Sequence, residues 1–227
     1  ADLAAQAALF DRSFDRKDGA TVLPWRYSDG PQGAALTTVI DGEGGVDGPL
    51  AASYACGPRT VLQKGANPVT VGQTGDVMTD PDQRGKGLFS RLDEATLLRA
   101  KAAGWPCVFG LPNRASAKIF TEKLGWDEVG QIRPWTFVLV SDQGAREERL
   151  KVSRAAAAGV PWVAWRGTMA RGRLRKTYFG KINVVPIARF KPEADEVQAE
   201  VAKQFPWFIQ RDHAYLNWRF VDSPSGR

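Results

Sequence analysis

The chain has few of the residues that metal centres and disulfide frameworks need, and it has no long apolar run. It contains two cysteines and one histidine in 227 residues, and no cysteine or acidic cluster near His213 has metal-ligand spacing. Cys56 and Cys107 are too few for a disulfide framework, so two reduced thiols are expected. No apolar run could span a membrane, and no secretory signal is visible. These absences favour a cytoplasmic protein with no bound metal.

A single histidine also limits the catalytic classes that are open to the chain. A Ser-His-Asp triad would have to use His213, and no G-x-S-x-G motif is present, so a packing or surface role is expected for this residue. The formal net charge of +6 is compatible with either an anionic small ligand or nucleic acid as a partner, so it does not distinguish between these two classes of partner. Hydrophobic and charged fractions of 43% and 25% are those of an ordinary globular chain.

The most informative segment combines a strand, a glycine-rich turn and an amphipathic helix. The valines at 69, 71 and 77 predict a strand that runs through Met78, and Pro81 ends it because proline cannot donate to a sheet ladder. A helix is predicted after the turn, since apolar residues recur there at helical spacing. Its apolar positions are Leu88, Leu92, Ala95, Leu98 and Ala102.

The turn between strand and helix has the features of an anion-binding site. Gly85 and Gly87 let the backbone approach a ligand closely, while Arg84 and Lys86 add positive charge to the free amides at the helix start. Neither G-x-x-x-x-G-K-[ST] nor G-x-G-x-x-G is present, because Ser90 stands at the third glycine. The residues alone leave two alternatives open: an anion site, or a tight turn that caps the helix.

Two matches in order connect this region to a known family. The segment Pro81–Gly87, followed by an apolar pair and a helix, resembles the acetyl-CoA pyrophosphate loop of the GNAT superfamily of N-acetyltransferases. A strand at 108–111 and a helix at 113–123 follow, and Leu124-Gly125-Trp126 is similar to that superfamily's "LGF" ending. The resemblance implies an α/β (α+β) fold with a mixed, mostly antiparallel sheet flanked by helices. It also implies acetyl-CoA as co-substrate.

Three positions depart from the family pattern. Asp82 stands where relatives usually carry Gln or Arg, and an acid there is unfavourable beside a pyrophosphate unless it points away. Phe89 replaces a common glycine. The tyrosine that often serves as general acid falls on Thr121, so no tyrosine acid is carried over.

The resemblance implies a set of site residues. Asp76 stands where many relatives carry an acidic base, although a strand-end carboxylate bonded to nearby backbone is the alternative. Thr121 would take the place of the tyrosine as general acid only if a water molecule relayed the proton. Asn113 either bonds the pantetheine arm or caps the helix start, and Ser116 is placed near the adenosine. The predicted cofactor-binding residues are Val77, Met78, Thr79, Gln83, Arg84, Gly85, Lys86, Gly87, Leu88, Asn113 and Ser116.

Other elements are predicted from periodicity and composition. These are a helix at 1–16, an extended piece at 22–27, antiparallel strands at 35–40 and 50–56, a turn at 63–68, a strand-rich segment at 127–140, a helix at 145–158, and a basic stretch at 166–181. The basic stretch is interpreted as a solvated linker or edge hairpin, with nucleic-acid binding as the alternative.

A repeat occurs near the end of the chain. Trp218-Arg219-Phe220 echoes Trp25-Arg26-Tyr27 at an offset of 193, and further matches share that offset without gaps. A helix at 196–205 precedes the second copy as 3–14 precedes the first. We therefore expect a GNAT-like domain at 1–140, a connecting segment at 141–193 and the opening of a second copy at 194–227, truncated at Arg227. This layout resembles a bacterial group with two GNAT domains in one chain.

The sequence predicts an acetyl-CoA-dependent N-acetyltransferase that acts on the amine of a small molecule, with an amino sugar as one candidate. Two alternatives stay open. One is an aminoacyl or acyl transferase of the peptidoglycan-branching type, which would use aminoacyl-tRNA and could employ the basic stretch. The other is a non-catalytic CoA-binding module. Neither a membrane nor nucleic acid is expected as a partner of the leading candidate.

Overall fold

The computed structural model describes residues 3–131 and 186–224. The helices in this part of the chain are α1 (Leu3–Phe14), α2 (Gly19–Tyr27), α3 (Leu88–Ala102), α4 (Arg114–Lys123), α5 (Glu193–Ala202) and α6 (His213–Phe220). The strands are β1 (Leu36–Asp41), β2 (Leu50–Gln63), β3 (Ala66–Thr79), β4 (Val108–Gly110) and β5 (Trp207–Ile209). None of these helices is both long enough and apolar enough to cross a membrane.

A long hairpin of β2 and β3 forms the centre of the sheet. Lys64 and Gly65 make the turn, and Gly65 takes a left-handed φ of 77° that glycine adopts without strain. β1 pairs antiparallel with β2, β4 pairs parallel with β3, and β5 pairs antiparallel with the far end of β2. The sheet is therefore mixed and mostly antiparallel, which confirms the fold class predicted from the sequence.

The two faces of β2 pack against different helices. Alternate residues of a strand point to opposite faces, and Ala52, Tyr54 and Cys56 pack in one cluster with Leu88 and Leu92 of α3. On the other face Ala55 lies in a cluster with Leu9 and Phe10 of α1 and with Leu23 and Tyr27 of α2. The sheet is thus a layer between α3 and the α1–α2 pair.

The extended piece predicted at 22–27 is wrong, because those residues lie in α2. The carbonyl oxygen of Asp18 accepts from the amides of Thr21 and Val22, which starts the helix. Pro24 lies inside it and costs one helical hydrogen bond. Burial of the helix against α1 and the sheet outweighs that cost, and a short apolar run with proline does not by itself separate strand from helix.

Most other elements were predicted close to their observed bounds. The helix at 1–16, the strand at 35–40, the helix beginning at Leu88 and the segment after Pro112 are confirmed. The strand predicted at 50–56 starts at Leu50 as expected but continues to Gln63. The turn predicted at 63–68 is shorter, because β2 runs to Gln63 and β3 starts at Ala66. Residues 127–131 are not in a strand. The rest of that predicted segment, the helix at 145–158 and the basic stretch at 166–181 lie outside the described residues.

The C-terminal helices return to the N-terminal body. The described parts of residues 1–127 and 187–227 form one compact unit. Trp218 of α6 stacks on Trp25 of α2, with ring centroids 4.9 Å apart. Trp25 Nε1 donates to the carbonyl oxygen of Trp218 at 2.9 Å, and Trp218 Nε1 donates to the carbonyl oxygen of Trp25 at 3.0 Å. Trp25 and Trp218 occupy equivalent positions of the sequence repeat, and each donates the same hydrogen bond to the other. Such reciprocal contacts are those expected across a local two-fold axis.

Candidate active site

Two neighbouring strands part at the centre of the candidate site. β3 pairs with β4 only from Gly72 to Thr74, opposite Val108–Gly110. Beyond Thr74, β3 continues for five more residues, and no described strand pairs with its β4-facing edge. A cavity of about 880 Å³ opens along this edge. Its walls are β3 from Thr74 to Thr79, the loop and first turn of α3, one face of α4, and the end of α1.

A β-bulge lies where the strands part. Ser53 pairs with Met78 and Ala55 pairs with Gly75, so one residue of β2 lies opposite two residues of β3. The extra residue is in the pair Asp76–Val77, and Asp76 has a left-handed φ of 47°. Such backbone is uncommon outside glycine, although aspartate tolerates it better than most residues. The bulge turns the Asp76 side chain and the adjoining peptide groups away from the regular ladder.

The loop before α3 presents free backbone amides to the cavity. Gly85 and Gly87 take left-handed φ values of 81° and 71°, and Gly87 is the residue from which α3 starts. The amides of residues 84–87 have no hydrogen-bond partner in the part of the chain that the structure describes. Together with the unpaired amides of the first helical turn, they form a pocket of donors suited to an anion.

The charged residues of this loop differ in their orientation. Arg84 lines the cavity, whereas Lys86 does not and donates from Nζ to Gln83 Oε1 at 2.7 Å. Asp82 is exposed and is absent from the cavity wall, so its carboxylate leaves the amides accessible. Asp80 accepts from the amide of Asp82 and pairs with Arg12 at 3.0 Å, so its carboxylate caps this turn.

The start of α4 forms the opposite wall. Asn113 Oδ1 accepts from the amides of Ala115 and Ser116 at 3.0 and 2.9 Å, which confirms Asn113 as the N-cap. Both Asn113 and Ser116 also line the cavity. Thr121 lies outside the wall, is exposed, and donates from its hydroxyl to the carbonyl oxygen of Ala117 at 3.1 Å. The structure therefore brings together ten of the eleven predicted cofactor residues, all except Lys86, but not Thr121.

Asp76 is held by two residues of α2. Arg26 Nη1 lies 2.6 Å from both carboxylate oxygens of Asp76, and the Tyr27 hydroxyl donates to Oδ2 at 3.2 Å. The Asp76 side chain is only 15% exposed. Burial, and secondarily the charge of Asp76, raise the pKa of Tyr27 far above its usual range, so its hydroxyl stays a donor. The alternative interpretation of Asp76, a strand-end carboxylate bonded to nearby backbone, does not describe these side-chain contacts.

A second, smaller cavity meets the first at Asp76. It has a volume of about 260 Å³ and shares three wall residues with the larger one, Thr74, Gly75 and Asp76. Both copies of the sequence repeat contribute to its wall. The contributing side chains are Trp25, Arg26 and Tyr27 from the first copy, Tyr215, Trp218 and Arg219 from the second, and Arg59 from β2.

A buried hydrogen-bond network connects α3 to the segment after α4. Asp93 of α3 accepts from the Tyr54 hydroxyl at 2.9 Å and from Trp126 Nε1 at 3.1 Å. Trp126 also packs edge-on against Phe120, which in turn contacts Phe89. The Leu124-Gly125-Trp126 motif thus helps to fix the position of α3. The candidate anion loop immediately precedes the first turn of this helix.

A family model describes most of this unit. The model of the acetyltransferase (GNAT) domain matches residues 1–129, which is more than half of the chain. The chain belongs to the GNAT acetyltransferase family. It is therefore an acyltransferase by family, as the sequence predicted. A search of curated proteins finds no match.

Solved structures with similar folds include three acetyltransferases. One is an acetyltransferase of Trypanosoma brucei, with 19% identity over 60% of this chain and 92% of the other, at a TM-score of 0.43. Another is glucosamine-6-phosphate N-acetyltransferase of Arabidopsis thaliana, with 21% identity over 61% and 95% and a TM-score of 0.44. The third is a ribosomal-protein-alanine N-acetyltransferase of Brucella melitensis biovar Abortus, with 19% identity over 60% and 94% and a TM-score of 0.45.

Sequence reasoning missed several wall residues of this GNAT domain. The repeat drew attention to Trp25, Arg26 and Trp218, but as evidence of duplication rather than as parts of a site. Arg59 and Tyr215 carry no sequence signal, because their proximity depends on the return of α6 to β2. No group of three potential metal ligands occurs within residues 3–131 and 186–224.

Proposed function

We propose that the protein transfers an acetyl group from acetyl-CoA to the amine of a small molecule, with an amino sugar as one candidate. One observation carries the proposal. A cavity large enough for an extended cofactor has free backbone amides at one end, and it meets a smaller cavity at Thr74–Asp76. A two-substrate transfer needs this geometry, since donor and acceptor must approach at one point.

The donor would bind along the larger cavity. Its diphosphate would accept from the amides of residues 84–87, with Arg84 adding a full positive charge. The pantetheine arm would then follow the unpaired edge of β3 from Val77 to Thr79, where backbone groups are available for strand-like pairing. Asn113 and Ser116 lie on the opposite wall. This arrangement would direct the thioester toward the bulge at Asp76–Val77.

The reaction requires three changes at the thioester. The neutral amine nitrogen attacks the carbonyl carbon, forming the new C–N bond, and charge builds on the carbonyl oxygen. A backbone amide at the bulge would stabilise that oxygen. The C–S bond then breaks with its electron pair on sulfur, the nitrogen loses one proton, and the coenzyme thiolate gains one. The products are the acetamide and free CoA.

We assign the base role to Asp76. It is the one carboxylate that lines both cavities in the described part of the chain, and its oxygens keep lone pairs that can accept an amine N–H. Arg26 and Tyr27 fix its position. The proton for the departing sulfur would come from water. A water-mediated role for Thr121 stays a prediction, as does a cofactor contact by Lys86.

We also propose that residues 194–224 are the opening of a second copy of the same fold. The support is the offset of 193, the helix pair α5–α6, and the reciprocal tryptophan contacts. An experimental structure of the whole encoded protein tests this: α5–α6 should superpose on α1–α2 and lead into a second sheet. A different fold after residue 220 would contradict it. The cytoplasmic location stays a prediction.

Two measurements on the purified protein test the transferase proposal. Acetyl-CoA should raise the melting temperature, because a ligand that binds only the folded state stabilises it. Release of the CoA thiol should then depend on an added amine, measured across a panel of amino sugars and simple amines. Stabilisation without amine-dependent release across that panel would favour a non-catalytic CoA-binding module. Absence of both effects would contradict the proposal.

A further inference from the structure

Arg59 is buried in the wall of the smaller cavity without a hydrogen-bond acceptor for its Nε. The residue is 8% exposed, and no described atom accepts from Nε. The Tyr215 ring covers one side of the guanidinium, with its centroid 4.1 Å from Cζ. A ring face offers electrostatic attraction but no acceptor in the plane of the guanidinium.

The charges around this cavity do not balance. Its described wall carries three arginines, Arg26, Arg59 and Arg219, against one carboxylate, Asp76. Arg26 pairs with Asp76. Arg59 and Arg219 have no carboxylate partner within the described ranges. Arginine stays charged under all ordinary conditions, and a buried charge that lacks a partner is costly. Of the two wall arginines without a carboxylate partner among the described residues, Arg59 is buried and Arg219 is exposed, and the cavity leaves room for a ligand.

We infer that the acceptor amine carries an anionic group, a phosphate or carboxylate, which Arg59 binds with help from Arg219. This rests on the proposed function only for the position of the amine, beside Asp76. An oxyanion would supply the missing acceptor for Nε and the fork geometry that a guanidinium binds most strongly. Because Tyr215 and Arg219 belong to the second copy of the repeat, that copy would complete the acceptor site.

The sheet register sets the distance between the two ends of the acceptor. Ala55 pairs with Gly75, next to Asp76, whereas Arg59 pairs with Val71. Four residues along β2 correspond to about 13 Å. A long arginine side chain can reach over part of that span. The anionic group should therefore sit at the end of the acceptor opposite the amine, as in a 6-phosphorylated 2-amino sugar, and not on a neighbouring carbon.

Direct binding tests the inference without relying on turnover. Isothermal titration should give tighter binding of glucosamine 6-phosphate than of glucosamine, by about 10- to 100-fold, the value of hydrogen bonds to a charged group. Glucosamine 1-phosphate should gain less, because its phosphate lies close to the amine. Glucosaminuronic acid, with a carboxylate at the distant carbon, distinguishes carboxylate from phosphate recognition.

Variants then identify the residue responsible. Arg59→Met keeps a flexible side chain against the Tyr215 ring and removes the charge, so it should abolish the preference for anionic over neutral acceptors. Arg59→Lys should retain part of the preference. Arg91→Met removes an exposed arginine of α3 that lines neither cavity, and it should behave like the parent protein. Melting curves identify any variant that does not fold.

The outcomes separate this inference from the proposed function. Equal binding of neutral and anionic amines, or a preference that survives Arg59→Met, would overturn the anionic subsite even if acetyl transfer occurs. Selective binding of the anionic amines that Arg59→Met abolishes would support the subsite even if no thiol is released. A preference for glucosamine 1-phosphate over the 6-phosphate would overturn the inferred spacing.

Discussion

Replacing Asp76 with asparagine tests the assignment of the base with little disturbance of the backbone. Asparagine tolerates a left-handed φ as aspartate does, so the 47° backbone of the bulge should persist. The amide oxygen can still accept from the Tyr27 hydroxyl. What the substitution removes is the negative charge, and with it both proton acceptance and the ion pair to Arg26.

The two losses have different magnitudes and different readouts. Loss of a general base lowers the rate by about 10²- to 10⁴-fold, which equals about 2.7–5.4 kcal/mol in activation free energy. The ion pair is partly buried, with side-chain exposures of 33% for Arg26 and 15% for Asp76. Its loss should lower the free energy of unfolding by about 1–3 kcal/mol. Loss of the base lowers kcat, whereas loss of the ion pair lowers the free energy of unfolding that urea denaturation measures.

Steady-state kinetics of CoA thiol release separate a base from a structural anchor. Asp76→Asn should lower kcat at least 100-fold while the KM for acetyl-CoA changes less than about threefold. Arg26→Met keeps the carboxylate and loses the same ion pair, so it should be destabilised similarly but lose far less rate. Asp82→Asn, in the exposed loop, is the charge-matched control. If Asp76→Asn keeps rates within fivefold of the parent, Asp76 is not the base.

Two further predictions concern the body of the domain. Trp25→Phe and Trp218→Phe each remove one inter-helix hydrogen bond and should each lower the free energy of unfolding by about 1 kcal/mol; unchanged urea midpoints would contradict the docking of α6 on α2. Burial raises the pKa of the Cys56 thiol to about 12, whereas Cys107 is exposed. A thiol reagent should therefore modify Cys107 alone in the native protein and both cysteines in urea, and rapid native modification of Cys56 would contradict its burial.

The parts of the fold that could be predicted from the sequence are those with strong local signals. The apolar spacing after Leu88 and the proline at 81 define a helix and a strand end without help from distant contacts. Asn113 as an N-cap is similarly local. The error at 22–27 arose where local and tertiary preferences disagree, because Pro24 and β-branched neighbours favour an extended chain and burial against α1 favours the helix.

The proposed acceptor side of the site could not be predicted in this way. Asp76 was identified by resemblance, but its contacts to Arg26 and Tyr27 join residues about 50 positions apart in sequence. Arg59 and Tyr215 come together only because α6 docks against α2 and reaches β2. The repeat was visible in sequence, yet its reciprocal contact required the folded geometry. The proposed donor site follows a local motif, whereas the proposed acceptor site depends on long-range packing.

The central claim is that the free amides before α3 bind the diphosphate of acetyl-CoA. Gly87→Glu places a carboxylate at these amides, and Gly65→Glu is a matched control, since Gly65 has a similar left-handed φ of 77° in the distant β2–β3 turn. Each substitution carries the same backbone cost of about 1–2 kcal/mol. Isothermal titration should show acetyl-CoA binding to the parent and to Gly65→Glu, and a loss of at least 100-fold in Gly87→Glu. Equal affinity in all three proteins, or no binding to the parent, would contradict the claim.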